Sequence, residues 1–193
     1  MSTKDALLEV TARLFAEHGW RGTTTRRIAE GAGVNEVTLF RHFKSKEALL
    51  GEAIRTVATE AQPDGLPEKP GDMRGELVAW AISQHDRLRA KGSMIRTCLA
   101  EFEEHPELAQ VACDGSITSM TDAIRYFTLA REQGLIGANG SIEAATVMLM
   151  NAIFMDAITR DVIPGGCGPI EARTVIDAFV DLTLRGLGAR EAA

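Results

Sequence analysis

No run of this 193-residue sequence alternates apolar and polar residues for long enough to make a strand. No apolar stretch approaches the ~20 residues that cross a bilayer. The first absence points to an all-helical fold, the second away from a membrane partner. The opening segment to Leu14 also lacks the basic, apolar, small-residue order of a signal peptide, because Asp5 and Glu9 interrupt it, so the expected location is the cytoplasm. Cysteine is scarce: Cys98, Cys113 and Cys167 are odd in number, far apart and not in a Cys-x-x-Cys arrangement. That spacing excludes a zinc or dithiol pattern and leaves inert thiols as the expectation. The histidines His18, His42, His85 and His105 have no i, i+4 partner among themselves, and GxSxG, HExxH and P-loop patterns are absent. Neither an enzyme, nor a metal site, nor a cofactor is expected.

What is present is an ordinary globular composition, 45% hydrophobic and 25% charged, which excludes a disordered or fibrous chain. The net charge of −6 is unevenly spread. Residues 1–61 hold nine Lys or Arg against eight Asp or Glu, which leaves −7 for the remainder. Between Trp20 and Glu47 six basic residues face three acidic ones, so a basic surface can form locally on an acidic molecule.

Helical spacing runs from end to end. "STKDALLEVTARLFAEHGW" puts Leu7, Leu8, Val10, Leu14 and Phe15 on one stripe, with Ser2 and Asp5 as a capping box and Gly19 as the stop. A short helix from about Thr25 to Gly31 follows, capped by the threonine run at 23–25. Asn35 caps the next, to about Phe43, and Ser45 a fourth, to about Glu60. "QPDGLPEKPG", residues 62–71, carries three prolines and two glycines and is expected to be the linker between residues 1–61 and 72–193. Beyond it the spacing predicts five longer helices, at about 72–90, 93–104, 106–133, 140–161 and 169–187, for about nine in total.

Two short helices joined by a glycine turn form a helix-turn-helix, whose second helix can enter a DNA major groove. At 100° per residue, Asn35, Thr38, Arg41 and His42 share one arc, flanked by Val37, while Leu39 and Phe43 point inward. Asn35 and Thr38 can bond base edges, Val37 can meet a thymine methyl, and Arg41 and Lys46 can neutralise phosphates. Thr24 and Thr25 combine hydroxyls with free backbone N–H groups at a helix start, which suits a phosphate.

"TTTRRIAEGAGVNEVTLFRHFKSKEALL" resembles the amino-terminal DNA-binding region of the TetR family of bacterial repressors, over about residues 7–57. The likeness rests on Phe15, Gly19, Thr25, Ile28, Ala29, Ala32, Gly33, Val34, Thr38, Leu39, His42, Phe43, Lys46, Glu47 and Leu50 at fixed spacing. It implies a homodimer on a palindromic double-stranded DNA operator, an amino-terminal helix-turn-helix domain, and a larger helical domain for dimerisation and for a small-molecule effector. Carried over by position, base contacts fall on Asn35, Glu36, Val37 and Thr38, and phosphate contacts on Thr25, Arg26, Phe40, His42 and Lys46. The family commonly has tyrosine where Phe40 stands, and phenylalanine cannot make that hydroxyl bond.

The same resemblance puts Trp80, Met120, Ile124, Phe127, Met148, Asn151 and Met155 on helices that line the ligand cavity. Met side chains and aromatics suit a pocket for an apolar molecule. It assigns the last two helices to the dimer seam, with Val147, Phe154 and Ile158 on one and Val175, Ile176, Phe179, Val180 and Leu187 on the other. Packing within the protomer reads the same way. The competing expectation is a helical lipophilic-ligand-binding protein without a DNA role, which leaves the polar arc without a purpose.

Overall fold

The structure is a computed structural model and describes residues 2–59, 65–163 and 170–189, with residues 107 and 109–115 described by backbone alone. Among the described residues the fold is all-helical, with nine helices and no strand. They are α1 (Thr3–Gly22), α2 (Thr25–Gly31), α3 (Glu36–His42), α4 (Lys46–Thr59), α5 (Met73–Ala90), α6 (Gly92–Glu101), α7 (Pro106–Glu132), α8 (Ile142–Thr159) and α9 (Ala172–Gly186). Residues 62–64 of the expected linker, the break at 164–169 with Cys167, and the Cys113 side chain lie outside what is described. The chain forms two compact units, Met1–Ala61 with Lys91–Gly115, and Gln62–Ala90 with Ser116–Ala193.

In the first unit, α1 starts as its sequence dictates. Ser2 Oγ accepts from the Asp5 N–H at 3.2 Å while Asp5 Oδ2 accepts from the Ser2 N–H at 2.9 Å. Gly19 breaks the helix with φ +66°, yet one more turn continues to Gly22. Bonds from outside the helix hold that turn: Trp20 N–H donates to Glu101 Oε1 at 2.9 Å, and Thr23 Oγ1 donates to the Gly19 carbonyl at 2.7 Å. Leu7, Val10 and Leu14 of α1 pack with Ile28, Leu39, Phe43 and Leu49 into one core, and Phe15, Leu50 and Ile54 join Met94, Cys98 and Leu108 in a second. Helix α6 is thus part of the amino-terminal unit, and the Cys98 thiol is buried in it.

Gly31 closes the angle between α1 and α2, since a Cβ there would sit 2.7 Å from Val10 Cγ1. Overpacking of this kind costs ~1–3 kcal/mol. Gly31→Ala is expected to lower the urea midpoint of the amino-terminal unit accordingly. A shift worth less than ~0.5 kcal/mol would show that Val10 yields freely.

In the second unit, α5, α8 and α9 pack on one another. Helix α7 supplies Ala123, Tyr126, Phe127 and Ala130, all buried. The Tyr126 hydroxyl donates to Glu76 Oε2, and burial together with that carboxylate pushes its pKa up, so it remains a donor. Asp122 accepts from the Leu66 N–H at 2.6 Å and Arg125 donates to the Leu66 carbonyl at 2.9 Å, which pins that segment to α7. A cleft of about 370 Å³ opens between Leu66, Pro67, Glu76, Ala79, Trp80 and Ser83.

Helix α8 corrects the expectation about apolar runs, because its 18 residues are long and apolar enough by composition to cross a membrane. Leu149, Met150, Ile153 and Ala157 spend that apolarity on packing within the unit. Its buried Asp156 meets His85 Nε2 at 2.8 Å and accepts two bonds from Arg160, at 2.8 and 2.6 Å. A carboxylate held in this way marks a core helix, where buried charge is paired.

Candidate nucleic-acid interface

Helix α2 begins with Thr24, whose Oγ1 accepts from the Arg27 N–H at 3.3 Å. It ends in backbone bonds from Gly33 to Glu30 and from Val34 to Ala29. Gly33 lies at φ +67° with nothing within 4 Å of a would-be Cβ, so the turn requires glycine for its backbone and not for space. Asn35 then caps α3: its Oδ1 accepts from the Thr38 N–H at 2.8 Å and from the Thr38 hydroxyl at 2.9 Å.

This turn orients α3 with two unlike faces. Leu39 is 0% exposed and Phe43 is buried, whereas Val37 is 77% exposed and Phe40 also faces solvent. Arg41 and His42 are exposed in the last turn of α3. The outer face therefore offers apolar contact at Val37 and Phe40, amide and hydroxyl groups at Asn35 and Thr38, and a cation at Arg41. This is chemistry that can meet base edges, sugars and phosphates together.

The structure also shows bonds that residue types did not announce. The Thr25 hydroxyl donates to Glu36 Oε2 at 2.6 Å, joining an expected phosphate contact to an expected base contact. The Thr25 hydroxyl must give up this bond to donate to a phosphate, whereas Glu36 Oε1 remains able to accept. Arg26 Nε donates to Glu30 at 2.9 Å on an exposed surface, where such a pair is easily traded. Lys46 is half-buried, with Nζ donating to the Trp20 carbonyl and lying 4.6 Å from the Trp20 ring centroid. Burial pulls its pKa down while Glu47 and Glu101 oppose the shift. Lys46 therefore braces the end of α1 in this conformation.

Around that brace, Glu101, Glu104 and His105 bring ligating atoms within 4.8 Å of one another. Glu101 accepts from Trp20, Glu104 pairs with Arg21 at 3.3 Å, and the His105 ring stacks on Trp20 at 3.5 Å. These contacts have a structural role in joining α6 to α1.

The residues expected to line a ligand cavity divide. Trp80 borders the cleft, Phe127 is buried, and Met120 and Ile124 are half-buried on α7. Met148, Asn151 and Met155 instead lie on the outer face of α8, with Met148 72% exposed. The reason is rotational: Leu149, Met150 and Ile153 occupy the inward stripe. Of the expected seam, Val147 is exposed and Phe154, Val175 and Phe179 are half-buried. Ile158, Ile176, Val180 and Leu187 are buried within the protomer's own unit. Sequence reasoning passed over Gln84 and Arg87 of α5, although polar residues among the apolar positions Leu77, Trp80, Ala81 and Leu88 were a signal.

The sequence profile of the bacterial regulatory proteins of the tetR family matches residues 7–53. The uncharacterized HTH-type transcriptional regulator YvkB of Bacillus subtilis is 26% identical over 152 residues, 79% of each chain. The HTH-type transcriptional repressor KstR2 of Mycobacterium tuberculosis is 48% identical over 54 residues, 28% of this chain and 27% of its own, so that likeness spans about a quarter of the relative. The crystal structure of a TetR transcriptional regulator from Agrobacterium tumefaciens superposes with a TM-score of 0.78 at 17% identity, covering 98% of this chain and 95% of that one. By sequence the helix-turn-helix region, residues 7–53, belongs with the bacterial regulatory proteins of the tetR family, and the whole chain shares the helical fold of a TetR transcriptional regulator.

Proposed function

We propose that the protein is a ligand-released repressor that binds a palindromic operator as a homodimer, acting in the cytoplasm and without catalytic residues. The observation that carries this reading is α3 itself, a capped helix with Val37, Phe40 and Arg41 turned outward while Leu39 anchors it. We assign residues 1–61 to DNA binding, 62–71 to the linker, and 72–193 to ligand binding and dimerisation. The exposed Val147, Met148 and Met155 on α8 and Leu182 on α9 support a seam between two copies, for an apolar face of this kind seeks cover. Two recognition helices then reach half-sites ~34 Å, or a multiple of it, apart. A ligand that prefers the non-binding conformation releases DNA, and typical coupling of ~1–3 kcal/mol lowers operator affinity roughly 5- to 150-fold.

The test is selection of genomic fragments by the purified protein, followed by footprinting at low and moderate salt. Recovery of a palindrome is expected. Thr38→Ala should then cost ~1–3 kcal/mol on the cognate site alone. Arg41→Ala should weaken all duplexes and reduce the salt slope by about one. Binding that ignores salt and both substitutions contradicts the reading, and no enriched sequence at all favours a ligand-binding protein without a DNA role.

A further inference from the structure

Four arginines of the carboxy-terminal unit, Arg74, Arg89, Arg125 and Arg160, are met by carboxylates. Arg74 binds Asp181 at 2.8 Å, Arg89 grips both oxygens of Asp161 at 2.7 Å, and Arg160 grips Asp156. Arg87 of α5 departs from this pattern. Its Nε is buried with no hydrogen-bond partner, and its Nη2 donates to the neutral Gln84 Oε1 at 2.8 Å. Gln84 is itself buried, and the same oxygen accepts from Ser119 Oγ at 3.1 Å. Burial pulls the Arg87 guanidinium below the usual arginine range, whereas carboxylate partners raise Arg74 and Arg89. Guanidinium does not deprotonate in proteins, so Arg87 remains a half-buried cation lacking a countercharge among the described residues. Such an arrangement is costly unless an anion arrives.

Its position says where the anion would sit. Trp80, Ser83 and Arg87 follow at i, i+3 and i+7 on one stripe of α5, and the first two line the 370 Å³ cleft. Helical side chains lean toward the amino-terminal end, and the bond from Arg87 back to Gln84 follows that lean. Arg87 itself does not line the cleft, whose other walls include Leu66, Pro67 and Ala79, but it stands one helical turn beyond Ser83 on the stripe that does. The cleft volume is within the range of small-molecule sites. A fork of N–H groups matches a carboxylate in geometry and charge. The Glu76 carboxylate on the cleft wall disfavours a second anionic group.

We propose that Arg87 recognises the single carboxylate of an amphipathic organic acid whose apolar body occupies the cleft beside Leu66 and Trp80. The proposal rests on the reading of the chain as ligand-responsive and names the ligand class.

The test uses the full chain and matched probes: decanoate against 1-decanol, and 2-naphthoate against 2-naphthalenemethanol, titrated by Trp80 fluorescence and by thermal unfolding. Wild type is expected to bind each carboxylate about tenfold or more tightly over its alcohol, the scale of one charge-assisted pair. Arg87→Met should abolish the preference while keeping alcohol affinity, and Arg87→Lys should retain part of it. Arg87→Gln carries the same prediction if the methionine variant unfolds. The proposal is overturned if wild type shows no preference, including binding of neither probe, or if the preference survives in the substituted chains. A preference that holds while operator affinity stays unchanged supports the site and removes ligand release. Release of DNA by the alcohols alone keeps ligand release and overturns the carboxylate assignment.

Discussion

Replacing Asp156 with alanine will destabilise the carboxy-terminal unit by about 3–5 kcal/mol, the cost of breaking a buried ion pair from one side. Asp156 is 5% exposed and His85 1%, so water cannot replace what the carboxylate provides. Arg160 would lose two bonds and His85 one. Asp156→Asn keeps the shape and part of the bonding, so a smaller loss is expected. Replacing His85, Asp156 and Arg160 together by apolar residues of similar volume should cost least of the three, because no member of the cluster is then left without its partner. Urea unfolding of the three variants measures this order. A loss below ~1 kcal/mol for Asp156→Ala would mean that Arg160 and His85 reach solvent without it.

Leu39→Ala will cost the amino-terminal unit about 2–5 kcal/mol and remove operator binding at ordinary temperatures. Leu39 is the anchor of a seven-residue helix too short to stand without tertiary packing. Its side chain meets the core built from Leu7, Ile28, Phe43 and Leu49. Unfolding is followed at Trp20, with Trp80→Phe in the background to silence the other tryptophan. Val37→Ala, two positions away and outward, should leave stability within ~0.5 kcal/mol and act on DNA affinity alone. Equal stability losses for the two variants would sink the assignment of the faces of α3.

Local signals made much of the amino-terminal unit legible. The Ser2–Asp5 box, the Asn35 cap and the Gly33 turn each depend on residues within four positions, and all three are formed. The inward direction of Leu39 and Phe43 followed from 3.6-residue spacing, and it is observed. Gly19 does break the helix as read, and what the sequence did not show is the further turn to Gly22, where the Trp20 N–H finds its acceptor in Glu101, 81 positions away. Lys46 was read as a phosphate contact from its charge and its position, while its bond to the Trp20 carbonyl depends on how α4 meets the end of α1.

Among the described residues the sequence by itself determined nine helices, the caps at Ser2, Thr24 and Asn35, and a helix-turn-helix with an outward polar arc, because backbone hydrogen bonding and side-chain periodicity are local. Only the tertiary structure decided that α6 packs with the amino-terminal unit and that Met148, Asn151 and Met155 face outward. It alone paired Asp156 with His85 across 71 positions and left Arg87 with no carboxylate among the described residues. Periodicity gives a helix an apolar side but does not name the neighbour that covers it. Burial and pairing are properties of that neighbour.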